Sequence, residues 1–475
     1  MTNKVRTIFG NMSWLMISQI VTSVLAFIWT VVITRYLGPS EYGIYGSTAS
    51  FSGLLMIFAD FGISSYIIRA VSTDFDKEEY YLRNAFTLTI FLSILYFFIV
   101  LILLILFGWN NYMIFICLLF TIEIIVGRFS AIFYISYQVH EELKYNAIAN
   151  MITTVSTFIL ILVVVYGSFK LTGIALAFIL ANVFALCYNI YIGCKYFVKP
   201  KFSFNPSFYK VLLLGGIPFA MTGLFYTVYY SIDIIMITQF VGTYETGLYN
   251  AAYKLITVLT LFYTIYVTVV YPVMSKLFKD SNELLSISFI KSMKYLLLVT
   301  IPIAIFTCFY SMDIISIYGV EFIEANKVLN ILIWTVCFLF VNGACSLVLT
   351  ASYKEYTVTI IFAIAAVFNI VLNLFLIPLY SIYGAAIATV LSEILIFILD
   401  MYSIKKINQL PNKHFVYDVF KIILASGILA IALYFLNLNL WLAMPVSIIV
   451  YFAALLLLKT PDDQDKLILK QILNK

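Results

Sequence analysis

A short segment occurs twice in this chain, each time as a polar turn between two long apolar stretches. Residues 33–45 read ITRYLGPSEYGIY and residues 237–249 read ITQFVGTYETGLY, an offset of 204 (237 − 33) without a gap. The paired identities are Ile33/Ile237, Thr34/Thr238, Gly38/Gly242, Glu41/Glu245, Gly43/Gly247 and Tyr45/Tyr249. Because membrane transport proteins are commonly built from internal repeats, the sequence predicts a duplicated membrane bundle.

The composition places the chain in a bilayer. It is 63% hydrophobic and 11% charged, with a mean hydropathy of +1.04, whereas a soluble domain has roughly 25% charged residues. The only two histidines, His140 and His414, and the six cysteines show no zinc-binding spacing, so the sequence predicts neither a metal nor a cofactor. The predicted fold class is an all-α polytopic membrane protein.

Fourteen apolar segments are long enough to cross a bilayer, which takes about 20 residues. Because fourteen is even, both termini lie on one side, and that side holds 23 of the 28 Lys and Arg residues. The positive-inside rule then predicts cytoplasmic termini. The net charge of +5 is interpreted as this excess beside anionic membrane lipids, without a nucleic-acid partner. The predicted spans are 10–34, 43–68, 85–107, 111–137, 147–167, 172–194, 211–241, 246–274, 288–309, 328–350, 357–377, 384–402, 416–436 and 439–458.

The repeat predicts the organisation of these spans. It places the seventh span on the first, and the six-helix separation gives both copies the same direction. Two six-helix lobes related by a pseudo-two-fold axis along the membrane normal are therefore expected. The predicted lobes are 1–198 and 208–402, with two appended helices in 416–459. Weaker echoes, such as TGIALA at 172–177 and YGAAIA at 383–388, agree with this division.

Motifs for covalent chemistry are missing from the sequence. It contains no G-x-x-x-x-G-K-[ST] phosphate loop and no G-x-S-x-G nucleophile elbow. The chain is therefore expected to move a substrate rather than to change it, without ATP as its direct energy source. An integral glycosyl polymerase or ligase is the enzyme alternative, and it would need a large outer loop with paired catalytic groups.

Charged residues inside spans are the best site candidates, because each costs several kcal/mol unless it faces a cavity or a partner. Asp233 and Lys254 each lie nine residues from the second repeated turn, about 13 Å below the outer surface and near the midplane. Lys254 is predicted to bind a phosphate-bearing substrate and Asp233 to be a coupling carboxylate. The structural alternative is an ion pair that fastens the seventh and eighth helices together.

Two charged residues share the fourth span. Glu123 and Arg128 are about 140° apart around the helix and do not face each other. Arg128 is predicted to face the cavity and bind substrate, and Glu123 is a candidate coupling acid.

The remaining charges receive separate interpretations. Glu393, near the midplane of the twelfth span, is a proton-relay candidate, with a hydrogen-bonded structural acid as the alternative. Arg35 at the outer mouth is a candidate substrate contact, with an interfacial residue or a gate as the alternatives. Asp60 and Asp400 lie near the inner ends of their spans, where a charged group reaches the membrane interface at low energetic cost, and they are interpreted as structural. Gly215-Gly216-Ile217-Pro218 is interpreted as the start of the seventh helix, with a hinge as the alternative.

Several motifs resemble one protein family. They are Phe58–Ile63 (FADFGI), the turn at 35–45, the block at 232–255 that ends in AYKL, and the block at 369–389 that contains YGAAIAT. Together they resemble the bacterial polysaccharide-export flippases of the Wzx type in the MOP superfamily, over about residues 1–402. The AYKL stretch also resembles the ADRL stretch of lipid II flippases, whose arginine faces the diphosphate, which maps that role onto Lys254.

The resemblance implies a function. A two-lobe bundle would turn undecaprenyl-diphosphate-linked oligosaccharides from the inner to the outer leaflet by alternating access, for O-antigen or capsule synthesis. Polysaccharide polymerase and chain-length machinery are the further partners it implies. The first helix has no charge, unlike that of the lipid II flippases, so a lipid II substrate is not favoured. The alternative function is that of a multidrug or cation antiporter of the MATE type.

Overall fold

The computed structural model describes residues 2–199, 201–407, 413–462 and 465, without the side chains of 2–10, 12 and 413. These residues form long α-helices joined by short turns. The helices are α1 (Thr2–Leu55), α2 (Ile57–Asp60), α3 (Ile63–Val71), α4 (Glu78–Phe107), α5 (Asn111–Val139), α6 (Leu143–Tyr166), α7 (Lys170–Tyr196), α8 (Pro206–Phe240), α9 (Thr243–Asp280), α10 (Asn282–Phe309), α11 (Ser311–Ser316), α12 (Asn326–Ala351), α13 (Glu355–Tyr380), α14 (Ile382–Lys405), α15 (Lys413–Leu436) and α16 (Leu440–Leu457).

The all-α polytopic fold is confirmed. Within the described ranges, thirteen helical segments are long and apolar enough to cross a membrane, and the first of them, Ser13–Asp60, has 48 residues. At 1.5 Å per residue it is about 72 Å long, more than twice the ~30 Å hydrocarbon core. The backbone leaves helical geometry inside it at Gly38, where φ is 69° and ψ is 174°. This segment therefore holds two crossings, which agrees with the predicted fourteen.

Two helix boundaries differ from the prediction. The second predicted span, 43–68, is interrupted by a turn at Phe61 and Gly62, where φ is positive at both residues. The Gly215–Pro218 segment does not start a helix, because α8 begins at Pro206 with Asn205 as its N-cap. A Cβ atom at Gly216 would lie 2.3 Å from the carbonyl oxygen of Phe61. The glycine thus permits close packing of α8 on the α2–α3 turn.

The chain divides into two compact units, Met1–Asn250 and Ala251–Lys475. In the first unit α1 packs on α6 and α8, α7 packs on α5 and α6, and α3 packs on α8. In the second unit α14 packs on α12 and α13, and α10 packs on α12 and α15. The lobe boundaries 1–198, 208–402 and 416–459 stay a prediction.

Candidate functional site

The two repeated turns contact each other inside the first unit. A Cβ atom at Gly43 would lie 1.7 Å from the carbonyl oxygen of Thr243, and one at Gly247 would lie 1.9 Å from that of Pro39. Thr243 is the repeat counterpart of Pro39 (39 + 204), so the contact is reciprocal, as at a two-fold interface. Only glycine allows two backbones to approach this closely.

Hydroxyl groups surround this contact. Ser47 donates a hydrogen bond of 2.6 Å to the carbonyl oxygen of Gly43 and also contacts the hydroxyl of Thr238. Thr238 in turn lies 3.0 Å from the hydroxyl of Thr246. The turns are thus joined by backbone packing and by a small polar network.

The predicted residues beside the turns have different environments. Asp233 is 4% exposed, and its Oδ2 accepts a hydrogen bond of 2.8 Å from the Tyr249 hydroxyl. Arg35 is exposed in α1, one turn before Gly38, and Lys254 is partly buried in α9. Three expectations stay predictions: substrate binding by Lys254 and Arg35, ion coupling by Asp233, and the Asp233–Lys254 ion pair.

Arg128 has an acidic partner that the sequence analysis did not assign to it. Its Nη1 lies 3.5 Å from Oδ1 of Asp60, which also accepts a hydrogen bond of 2.6 Å from Ser64. The position of Asp60 near the inner end of its span predicts a structural acid. In the structure Asp60 also forms an ion pair between α2 and α5. The signal was available, because a cation within a span needs an acid from a neighbouring span.

Two acids inside spans accept hydrogen bonds from asparagine amides. Glu123 accepts one of 2.8 Å from Asn182 on α7. Glu393 is 3% exposed, and its carboxylate accepts one of 2.7 Å from Asn342 on α12. The hydrogen-bonded structural alternative for Glu393 thus has a named partner, while the coupling roles of Glu123 and Glu393 stay predictions.

An ion network that the sequence analysis missed lies in the second unit. Lys294 is 2% exposed and lies 3.0 Å from Asp418 and 2.7 Å from Asp465. Lys291 lies 2.7 Å from Asp465 and also contacts Asp462. The two lysines that interrupt the ninth predicted span are thus neutralised by aspartates from the C-terminal part of the chain.

The charge state of this network follows from its hydrogen bonds. Burial disfavours the charged form of Asp465, but the hydrogen bonds from Lys291, Lys294 and Tyr295 outweigh it and hold its pKa below the usual range. The pKa of Asp462 is lowered in the same way. Both carboxylates are therefore ionised at neutral pH, and the network contributes stability that is lost as the pH falls below about 4.

A cleft of about 570 Å³ lies beside the network, between α9, α10 and α12. Its lining is mostly aliphatic and aromatic, with polar groups from α10. The lining residues are Phe262, Tyr266, Val269, Val270, Val273, Met274, Ser288, Lys291, Ser292, Tyr295, Leu296, Val299 and Phe340.

Comparison with solved structures identifies the fold. The chain is similar to the lipid II flippase MurJ in an inward closed conformation, with a TM-score of 0.77 and 18% identity over 94% of this chain and 97% of that chain. It is also similar to an inward-facing multidrug resistance MATE family transporter of the MOP superfamily, with a TM-score of 0.65 and 14% identity over 83% and 99%. The fold is therefore that of the MOP-superfamily membrane transporters.

Comparison of sequences defines the family. The profile described as polysaccharide biosynthesis protein matches residues 8–278, so the chain belongs to that family. The MatE profile matches residues 218–375. Among curated relatives, the capsular polysaccharide biosynthesis protein CapF of Staphylococcus aureus is 23% identical over 407 residues, which cover 84% of this chain and 99% of CapF.

Proposed function

We propose that this multi-pass membrane protein is a flippase for undecaprenyl-diphosphate-linked oligosaccharide repeat units. It moves them from the inner to the outer leaflet of a bacterial cytoplasmic membrane for surface polysaccharide synthesis, with both of its termini in the cytoplasm. The observation that carries this proposal is membership in the polysaccharide biosynthesis protein family over residues 8–278. The names of CapF and of the lipid II flippase support a lipid-linked saccharide as the substrate class.

The proposed mechanism is alternating access with a gate at the repeated turns. In this mechanism the reciprocal contact of Gly43 and Gly247 would close one side of the pathway. Opening that side separates the two backbones and breaks the hydroxyl contacts of Ser47 and Thr238.

The proposed substrate contacts are the cations Lys254, Arg128 and Arg35. A diphosphate carries negative charge that a cation neutralises through charge-assisted hydrogen bonds. Arg128 and its partner Asp60 are each partly exposed, and their 3.5 Å separation is long for an ion pair. Phosphate oxygens would therefore replace Asp60 as the partner of Arg128 at modest cost.

The proposed energy source is an ion gradient or the membrane potential. Asp233, Glu393 and Glu123 are the carboxyl groups proposed to couple transport to it. Glu393 and Glu123 each accept a hydrogen bond from an asparagine amide, which can serve either the ionised or the protonated acid. Each acid thus keeps its hydrogen bond to the amide when its protonation state changes.

A reconstitution experiment tests the proposal. Proteoliposomes would receive a fluorescent undecaprenyl-diphosphate oligosaccharide in the inner leaflet, and a membrane-impermeant glycosidase outside would report its arrival. The protein should raise the accessible fraction severalfold above that of empty liposomes. Equal rates with and without the protein would refute the flippase assignment.

A second function, multidrug or cation antiport, is favoured by the MatE profile match at 218–375. The same proteoliposomes separate the two functions when they are loaded with ethidium and given a pH or sodium gradient. Gradient-driven ethidium movement without oligosaccharide movement would select the antiporter. Oligosaccharide movement without ethidium movement would select the flippase.

A further inference from the structure

Asp400, near the end of α14, is the most isolated acid in the described part of the chain. Its side chain is 0% exposed. Neither of its carboxyl oxygens has a hydrogen-bond partner among the described residues. An ionised carboxylate in such a place would be far more costly than a neutral one, because nothing compensates for its lost hydration.

The neighbouring charges do not supply the missing compensation. α14 packs on α12 and α13, and the nearby titratable groups that act on Asp400 or feel its charge are Glu393 and Cys345. Both would repel an ionised Asp400 when they are themselves ionised. The other titratable residues of the three helices are Lys327, Cys337, Glu355, Tyr356, Tyr380, Tyr383, Tyr402 and Lys405. The only cations among them, Lys327 and Lys405, are exposed.

Two other acids inside spans provide a direct contrast. Glu393 lies on the same face of α14, about two turns before Asp400, and accepts a hydrogen bond from Asn342. Glu123 accepts one from Asn182. Asp400 is the buried acid for which the described side chains provide no donor.

We propose that the carboxyl group of Asp400 is a proton-binding site on α14. In the described state the proton is held on a carboxyl oxygen. When water reaches Asp400, the O–H bond breaks, the proton passes to water and the carboxylate is hydrated. Glu393 lies on the same face of α14, about 10 Å before Asp400. This distance is too long for direct proton transfer between the two acids, so Glu393 is a separate second proton site.

A proton suits this site better than a metal cation. Hard metal cations take about six or more oxygen ligands, and the described residues contain no group of three or more His, Cys, Asp or Glu side chains that could hold a metal ion. A proton needs only the carboxyl group itself. The proton site stands independently of the proposed function, and only its use in coupling rests on that function.

Infrared spectroscopy of the purified full-length protein tests the site directly. A protonated carboxyl group has a C=O stretching band that a carboxylate lacks. At neutral pH the wild type minus Asp400→Asn difference spectrum should contain one such band, and Asp400→Glu should move it. Asp400→Asn should also leave the Tm nearly unchanged, because asparagine matches the shape of the neutral acid.

Asp465→Asn is the matched control, because Asp465 is ionised and paired with two lysines. It should lower the Tm and remove no protonated-carboxyl band. If Asp400→Asn does not fold, the band shift in Asp400→Glu still decides the matter. The proposal is overturned if Asp400→Asn removes no protonated-carboxyl band from the wild-type spectrum and Asp400→Glu moves none. So does a band that sodium ions abolish at constant pH, which would identify a sodium site.

The outcomes also separate this site from the flippase assignment. If the Asp400 band is present but the wild type moves no lipid-linked oligosaccharide, the proton site stands and the flippase proposal fails. If transport is observed but the band is missing, the proton site fails alone.

Discussion

The two halves of the chain carry the same kind of polar pair on corresponding helices, with the partners exchanged. In the first half the acid is on the fourth crossing and the amide on the sixth, as Glu123 and Asn182. In the second half the amide is on the fourth crossing and the acid on the sixth, as Asn342 and Glu393. The TGIALA and YGAAIA echoes, offset by 211 (383 − 172), align Asn182 with Glu393. The two halves thus each have an acid–amide hydrogen bond between corresponding helices, with the acid and the amide on opposite helices in the two halves.

The regions around the repeated turns differ more strongly. Gly43 and Gly247 keep the same reciprocal contact. By contrast, the counterparts of Asp233 and Lys254 at the 204-residue offset are Trp29 and Ser50. Packing is therefore retained in both copies, whereas the charges at positions 233 and 254 have no charged counterpart in the first copy. Residues shared by both copies are expected to serve the gate, and residues found in one copy are expected to serve the substrate.

The largest predicted effect is at Lys254. Lys254→Ala should abolish polysaccharide export at normal protein level, because it removes a cation proposed to contact the diphosphate, while Lys254→Arg should keep export. Ser50→Ala, the counterpart change in the first copy, should have little effect. The measurement is surface polysaccharide in a strain whose own flippase gene is deleted. Normal export by Lys254→Ala would refute the binding role and the asymmetry between the copies.

A smaller loss is expected at the shared glycines. Gly43→Ala and Gly247→Ala would each place a methyl group within 2 Å of a backbone carbonyl oxygen, so the two turns must separate. Transport should fall severalfold, and cysteines introduced beside the turns should react faster with impermeant thiol reagents.

Gly53→Ala and Gly223→Ala are the matched controls, because a Cβ atom at either position meets no atom within 4 Å. These changes should be neutral or slightly stabilising, by about 1 kcal/mol at most, since alanine favours helices. If the gate glycines tolerate alanine as well as the controls do, the turns do not form a closed gate.

These positions show what the sequence can and cannot predict. The spans, the glycine turns and the charged candidates were predictable, because apolar length and the repeat leave their signal within short segments. The partners were not, because Asp60 meets Arg128 and Asp465 meets Lys294 across long sequence separations. The depth of Asp400 alone predicts a structural acid, and its burial without a donor depends on how α12 and α13 pack around it.

The equivalent tyrosines provide a prediction of intermediate size. Tyr249 donates a hydrogen bond to the buried Asp233, whereas Tyr45 packs its ring on Tyr42, Phe120 and Phe178. Tyr249→Phe removes a donor from a buried carboxyl group and should cost about 1–3 kcal/mol. Tyr45→Phe keeps the ring contacts and should cost less. Thermal unfolding in detergent measures both, and equal Tm losses would show that the two copies use this tyrosine alike.

The smallest predicted effect separates the two acid–amide pairs. Glu393→Gln should preserve folding and downhill transport, because glutamine can still bond to Asn342, but it should weaken the response of transport to a pH step. Glu123→Gln is the matched change in the first half. We expect the larger loss at Glu393, because Asp400 lies two turns away on the same helix and supplies a second proton site.

Proteoliposomes given a pH step without nucleotide measure the outer-leaflet fraction while the gradient lasts. Equal losses in both variants would make the two halves equivalent in coupling. If wild-type protein reaches the same leaflet ratio with and without the gradient, transport is passive and neither acid couples it, although a passive flippase would still use Lys254 and the glycine gate.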